Sequence, residues 1–189
     1  MRHKYETRGI VLSRSPLGEA NAFVTLITVD VGLVRARAQG LRRPGAKLAA
    51  ALTTFAESDV VLVRGKEGWR VAGAVLAENW FMRLGGAESR TRAGRISSLL
   101  LRLVAGEIRD PALSQIIRGF FETLATLPEE THEAAEVLAA LHVLSALGLD
   151  AGDIPSGVSM FAPEPLADIS KNRTKYIVRI NNGLDASGL

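Results

Sequence analysis

The stretch "GLVRARAQGLRRPGAK", residues 32–47, changes character halfway along. Its first eight residues alternate: Val34, Ala36 and Ala38 fall on one side of an extended chain, and Arg35, Arg37 and Gln39 on the other. This is the pattern of a strand with one face in a core and two cations together on the outside. Gly40 then opens a loop in which Arg42, Arg43 and Lys47 surround Pro44 and Gly45, before the chain turns apolar in "LAAAL" (48–52). Residues 35–47 thus carry five cations and no acid, whereas an ordinary solvated surface mixes its signs.

Working outward, the same period-2 character recurs in "TRGIVLS" (7–13), "AFVTLITV" (22–29), "SDVVLVRG" (58–65) and "GWRVAGAVL" (68–76), which makes five strands in all. Gly65 and Gly68 flank a charged tip between the last two, as a hairpin turn requires. Beyond "ENWFMRLGGAESR" the period lengthens to that of helices. The helical stretches are "RISSLLLRLVAGEIR" (95–109), "DPALSQIIRGFFETLATL" (110–127) and "PEETHEAAEVLAALHVLSALGL" (128–149). Asp110 can cap the second of these and Pro111 suits its first position, after which Leu113, Ile116, Ile117, Phe120, Phe121 and Leu124 trace a packing stripe. Pro and Gly in residues 150–168 predict a loop, and a last helix is expected from near Ser170, with Tyr176, Ile177, Ile180 and Leu184 on one side. The fold class is therefore α+β: a five-stranded β domain over residues 1–83, then an all-helical domain over 84–189.

With 47% hydrophobic residues, the 189-residue chain can bury a real core. It has no cysteine, and His3, His132 and His142 do not stand at ligand spacing, so no structural metal and no cofactor are expected. The charged start "MRHKYETRGI" is not a secretion signal and no apolar run is long enough to span a bilayer; a cytoplasmic protein fits, with no membrane partner. Charge is divided unevenly. Residues 1–83 hold 13 Lys/Arg against 7 Asp/Glu, and residues 84–189 hold 10 against 13. The first half is the one suited to an anionic partner.

Gly40 and Gly45 follow a strand at the separation of a phosphate-binding P-loop, but Ala46 stands where its Lys belongs and Leu48 lacks the hydroxyl that would hold magnesium. No G-x-S-x-G or H-E-x-x-H motif is present, His142 lies in an apolar helix, and Glu129 and Glu130 suit the start of a helix after Pro128. Nothing here suggests an enzyme. Nucleic-acid binding through the basic strand and loop is what remains, either to DNA or, alternatively, to RNA as a module of translation or ribosome assembly.

Residues 9–55, with "PLGEA" (16–20), "GLVRARAQGLRRP" (32–44) and then "LVRGKEGWRVAGAVLAENWF" (62–81), resemble the N-terminal region of the RecO family of bacterial recombination mediators. The helical half is compatible with that family, notably in "ALHVLSALGL" (140–149). The resemblance implies an OB-fold barrel that binds single-stranded and duplex DNA. It also implies annealing of complementary strands, and recombinase loading with RecR and single-stranded-DNA-binding protein, without nucleotide hydrolysis. Two departures stand out. The loop at 150–168 has no cysteine where many relatives carry a four-cysteine zinc site, so zinc should be absent, and Asn21 replaces a common aspartate.

Within this frame the barrel is poor in aromatics: Tyr5, Phe23, Phe55 and Trp69 precede Trp80, and Phe23 is expected to point inward. Binding would then rest on phosphate contacts from Arg35, Arg37, Arg42, Arg43 and Lys47, with Arg14, Arg64 and Arg70 beside them. In the family the helical domain receives the acidic tail of single-stranded-DNA-binding protein, which needs a cation beside an apolar pocket. Arg102, Arg109 and Arg118, or Lys171, Arg173, Lys175 and Arg179, are the candidates. Between Gly119 and Ser170 there are nine acids and no Lys or Arg, a stretch expected to repel DNA or to dock a basic partner.

Overall fold

A computed structural model describes residues 3–104 and 106–188. Five strands, β1 (His3–Leu17), β2 (Asn21–Thr28), β3 (Gly32–Ala38), β4 (Ala56–Gly65) and β5 (Gly68–Asn79), form a closed barrel in the order β1-β2-β3-β5-β4. This is the five-stranded OB-fold arrangement that the sequence suggests. β1 is long because it serves two neighbours: His3–Ile10 pairs with β4, and Gly9–Leu17 pairs with β2 past a bulge between Val11 and Ser13. All these pairings are antiparallel except that of β3 with β5, which is parallel and short, joining Ala36 to Trp69 and Arg37 to Arg70.

The alternation of β3 is realised in full. Val34, Ala36 and Ala38 are buried with Val24, Leu26, Leu62 and Val71 in the barrel core, while Arg35 is exposed and Arg37 half-exposed. Leu41 and Leu52, from the long connection after β3, complete that core. Beyond β5 comes the short helix α1 (Trp80–Arg83), whose buried Trp80 donates its indole N–H to the buried carboxylate of Glu57 at 2.8 Å.

Packing divides the chain into two compact units, and the division is not a single cut. One unit runs to Arg83 and also includes Gly106–Ser114; the other takes the chain from Leu84 and again from Gln115 onward. In the first unit, the strap at 106–110 returns to the barrel. Leu33 N–H donates to the carbonyl of Ile108 at 2.9 Å, and Gly32 lies directly under that carbonyl.

The helices are α2 (Ala87–Leu103), α3 (Pro111–Thr126), α4 (His132–Ala146), α5 (Pro163–Lys171) and α6 (Arg173–Ser187), with a 3-10 turn at Glu129–Thr131. The predicted stripe on α3 is buried at all six positions. α4 is buried nearly all round, as befits a central helix packed by α2, α5 and α6. Several boundaries differ from the sequence expectation. α2 begins eight residues earlier, at Ala87, and ends before "VAGEIR". Residues 163–168, expected as loop, belong to α5, which runs on to Lys171. Pro163 and Pro165 lie in its first turn, where a missing N–H costs nothing, and Leu166 and Ile169 are buried. The terminal helix begins at Arg173, after a break at Asn172.

Candidate nucleic-acid interface

Residues that oppose one another across antiparallel strands share a face, so the register assigns each cation its side. One outward row runs Arg70, Arg37, Phe23, Ser15 across β5, β3, β2 and β1; the next runs Arg35, Thr25, Ser13. Arg35 folds back over Phe23, its guanidinium carbon 4.1 Å from the ring centre. Phe23 therefore lies on the outside, half-buried beneath an arginine, contrary to the inward orientation expected of it. The inward positions of β2 are taken by Ala22, Val24 and Leu26. The outer face thus joins three arginines, three hydroxyls and one aromatic ring. Phe23, Ser13, Ser15 and Thr25 were missed as members of it, although the alternation of β2 was a signal for the first.

Like charges directly opposite one another destabilise a sheet unless an anion intervenes. Arg37 and Arg70 are such a pair, and the acid nearest Arg37 is Glu67, 3.5 Å away on the exposed hairpin tip. The two arginines rim a cleft of about 1030 Å³ that also takes in Arg64, Lys66, His3, Gln39 and Trp69. Lys66 and His3 are further basic groups that sequence reasoning did not single out for this cleft.

Arg64 and Arg14 belong to a different row. The sequence of partners His3, Arg64, Trp69, Ala36, Val24, Arg14 circles the barrel on its inner face. Arg14 is exposed because β4 pairs with β1 only as far as Ile10. Arg64 lies over the Trp69 ring at 5.2 Å, and Tyr5 meets the same ring edge-on at 5.1 Å. Glu107, delivered by the strap, accepts the Trp69 indole N–H at 2.7 Å and pairs with Arg64 at 3.2 Å.

In the basic loop, Arg42 is tied down: its backbone N–H donates to Ala20 O at 3.0 Å and its guanidinium to Gly18 O at 2.6 Å. Arg43 and Lys47 are exposed. Asn21 Oδ1 accepts the N–H of Gly40 at 2.9 Å, fixing the start of this loop against the β1–β2 turn.

The cations proposed for a partner are dispersed. Arg109 is exposed on the strap, Arg102 ends α2 beside Leu99, and Lys171 ends α5. Arg118 pairs with Glu122 at 3.5 Å, and Lys175 lies over the Tyr176 ring at 5.3 Å. Arg179 is clamped between Asp150 and the carbonyl of Asp153. Arg173, paired with Glu133 at 2.7 Å, alone among them lines a groove of about 440 Å³ floored by Ile96, Leu99, Val137, Ile177 and Ile180 and flanked by Arg92 and Arg95. Several acids of the 119–170 stretch have cations from outside it: Glu122, Glu133, Asp150, and Glu136, which pairs with both Arg92 and Arg95.

Among the described residues no group of three or more His, Cys, Asp or Glu could hold a metal ion, and no helix is long and apolar enough to cross a membrane. Burial holds the His142 imidazole below the ordinary histidine value, beside Phe161 at 6.3 Å.

Comparison with known proteins gives a consistent result. Residues 1–79 match the family described as recombination protein O, N-terminal. The chain is 33% identical over 160 residues to DNA repair protein RecO of Thermobifida fusca, covering 80% of this chain and 61% of that one. It is 38% identical over 80 residues to RecO of Acaryochloris marina (42% and 27%), and 28% identical over 122 residues to RecO of Dehalococcoides mccartyi (65% and 48%). The chain spans about half the length of the curated relatives it matches.

Proposed function

We propose, from the match of residues 1–79 to the RecO family, that this chain is a DNA-binding mediator of recombinational repair. It holds single-stranded and duplex DNA by the phosphates and anneals complementary strands. It also helps RecR load recombinase where single-stranded-DNA-binding protein coats the DNA.

The observation that carries this reading is the Arg37–Arg70 pair, set side by side on the outer face next to the Phe23–Arg35 stack and opening into a cation-rimmed cleft. Arginine forks suit phosphate oxygens, and the hydroxyls of Ser13, Ser15 and Thr25 supply further donors on the same face. With one half-buried ring on that face, the grip falls on backbones and the base edges stay free to pair. Neutralised phosphates also lower the repulsion between two approaching strands. No nucleotide hydrolysis and no cofactor enter this scheme.

For the tail of single-stranded-DNA-binding protein, the groove under Arg173 is the best match among the candidates. It sets Arg92, Arg95 and Arg173 beside an apolar floor of leucine, valine and isoleucine, and an acidic peptide ending in an apolar residue would take these cations over from Glu88, Glu133 and Glu136, which line the same groove. RecR docking is assigned to the helical unit, where Glu129, Glu130, Asp153 and Glu164 remain exposed.

The decisive experiment is annealing of complementary oligonucleotides, bare and coated with single-stranded-DNA-binding protein. The protein should accelerate both, and the Arg37→Ala/Arg70→Ala double variant should slow both. No acceleration on either substrate, or a preference for structured RNA without annealing, would replace this reading with that of an RNA-binding module.

A further inference from the structure

Glu107 is out of character with its surroundings. The strap holds it against Arg64 and Trp69 of a cleft that is also lined by Arg37, Lys66 and Arg70, with Glu67 as the acid of that lining. Its two carboxylate oxygens are used separately: Oε1 accepts the Trp69 indole N–H at 2.7 Å, and Oε2 lies 3.2 Å from the Arg64 guanidinium. Two donors holding two oxygens of one anion is also how a protein presents itself to the non-bridging oxygens of a phosphodiester.

The donors do not depend on Glu107 for their positions. Trp69 is wedged in the barrel core with Tyr5 against its edge, and Arg64 lies over its face. Nor does the acid depend on the donors, because the next residue along the strap is bonded through its backbone, Leu33 N–H to Ile108 O, above Gly32. Site and occupant are thus built separately and brought together. Arg64 and Glu107 are both partly solvated, at 47% and 39% side-chain exposure, so their ion pair is weak enough for a polyanion to displace.

Resting on the DNA-binding reading above, we propose that Arg64 and the Trp69 indole N–H form a phosphate site that Glu107 fills in the free protein. A DNA backbone entering the cleft takes the carboxylate's place. Glu107 then lowers affinity for DNA and sets a threshold below which the cleft stays closed to stray phosphates.

The test is equilibrium binding of a labelled oligothymidylate across a salt series, with wild type, Glu107→Gln, Arg64→Ala and the double variant. Glutamine keeps an oxygen for the indole N–H and removes the charge. Glu107→Gln should bind about three- to tenfold more tightly, with the log–log salt slope steeper by about 0.7, the increment for one more single-strand phosphate. Arg64→Ala should bind DNA more weakly than wild type, because it removes the cation that the phosphate takes over from Glu107, and should cancel the gain in the double variant. Wild type that binds DNA while Glu107→Gln binds identically overturns the site and leaves the DNA-binding reading standing. No binding by any of the four at low salt overturns both. An equal gain for polyglutamate and oligothymidylate overturns the assignment to phosphate.

Discussion

Asn21 shows how a small side chain can decide the placement of a functional loop. Its amide oxygen takes the N–H of Gly40, and with Arg42 bonded to Gly18 and Ala20 the basic loop is fastened to the β1–β2 turn at both ends of a four-residue span. An aspartate would accept the same hydrogen bond, so the departure noted in the sequence leaves this function intact. That contact joins positions 19 residues apart, and nothing in the local pattern announces it. Phe23 was expected inward on a reading of the alternation that took the wrong phase: Ala22, Val24 and Leu26 hold the inner positions of β2 and leave Phe23 outside. His142 was legible as a packing residue, and its burial has a measurable effect. Its folded pKa is depressed, so the unfolded chain takes up the proton first and the associated stability, present above about pH 6.5, is lost as pH falls. The thermal midpoint should therefore fall as the pH drops below about 6.5, and His142→Leu should flatten that segment of the profile. An unchanged slope in the variant would assign it to another group.

At the scale of elements, the five strands were readable because their period and their glycine boundaries agree. The strap was not, because "GEI" has no period and is held by one backbone bridge to a strand some 75 positions earlier. α5 was hidden by its own prolines, which mark a loop anywhere except in a helix's first turn. The strap makes a sharp demand on one residue. Gly32 has φ +79°, and a Cβ there would fall 1.8 Å from the Ile108 carbonyl oxygen. Gly40 has φ +66° but nothing closer than the Arg43 side chain at 3.8 Å. Gly32→Ala should thus cost at least about 2 kcal/mol in urea unfolding, combining backbone strain with a clash that only strap displacement relieves, whereas Gly40→Ala should cost about 1 kcal/mol from strain alone. Equal costs would mean that the strap yields freely.

For the whole molecule, the uneven division of charge was plain in the sequence, and the structure adds which cations share a face. Arg35, Arg37 and Arg70 do, with Lys66 and Arg64 at the cleft, while Arg14 lies on the other side of its sheet. Their partnership depends on strand register, which composition cannot supply. If roughly five single-strand phosphates are engaged, the affinity should fall with salt at a log–log slope of order −3, and Arg37→Ala should reduce the slope by about 0.7 equally for every base sequence. A slope near zero would remove phosphate contacts as the basis of binding. The discontinuous barrel unit has one further consequence, for biosynthesis. A ribosome delivers β5 well before Gly106–Ser114, with the whole of α2 translated in between, so the nascent barrel emerges lacking its last piece. During that interval Leu33 has no acceptor and the Trp69 indole no carboxylate, and a chain stalled or cleaved near Arg83 would stay in that unfinished state.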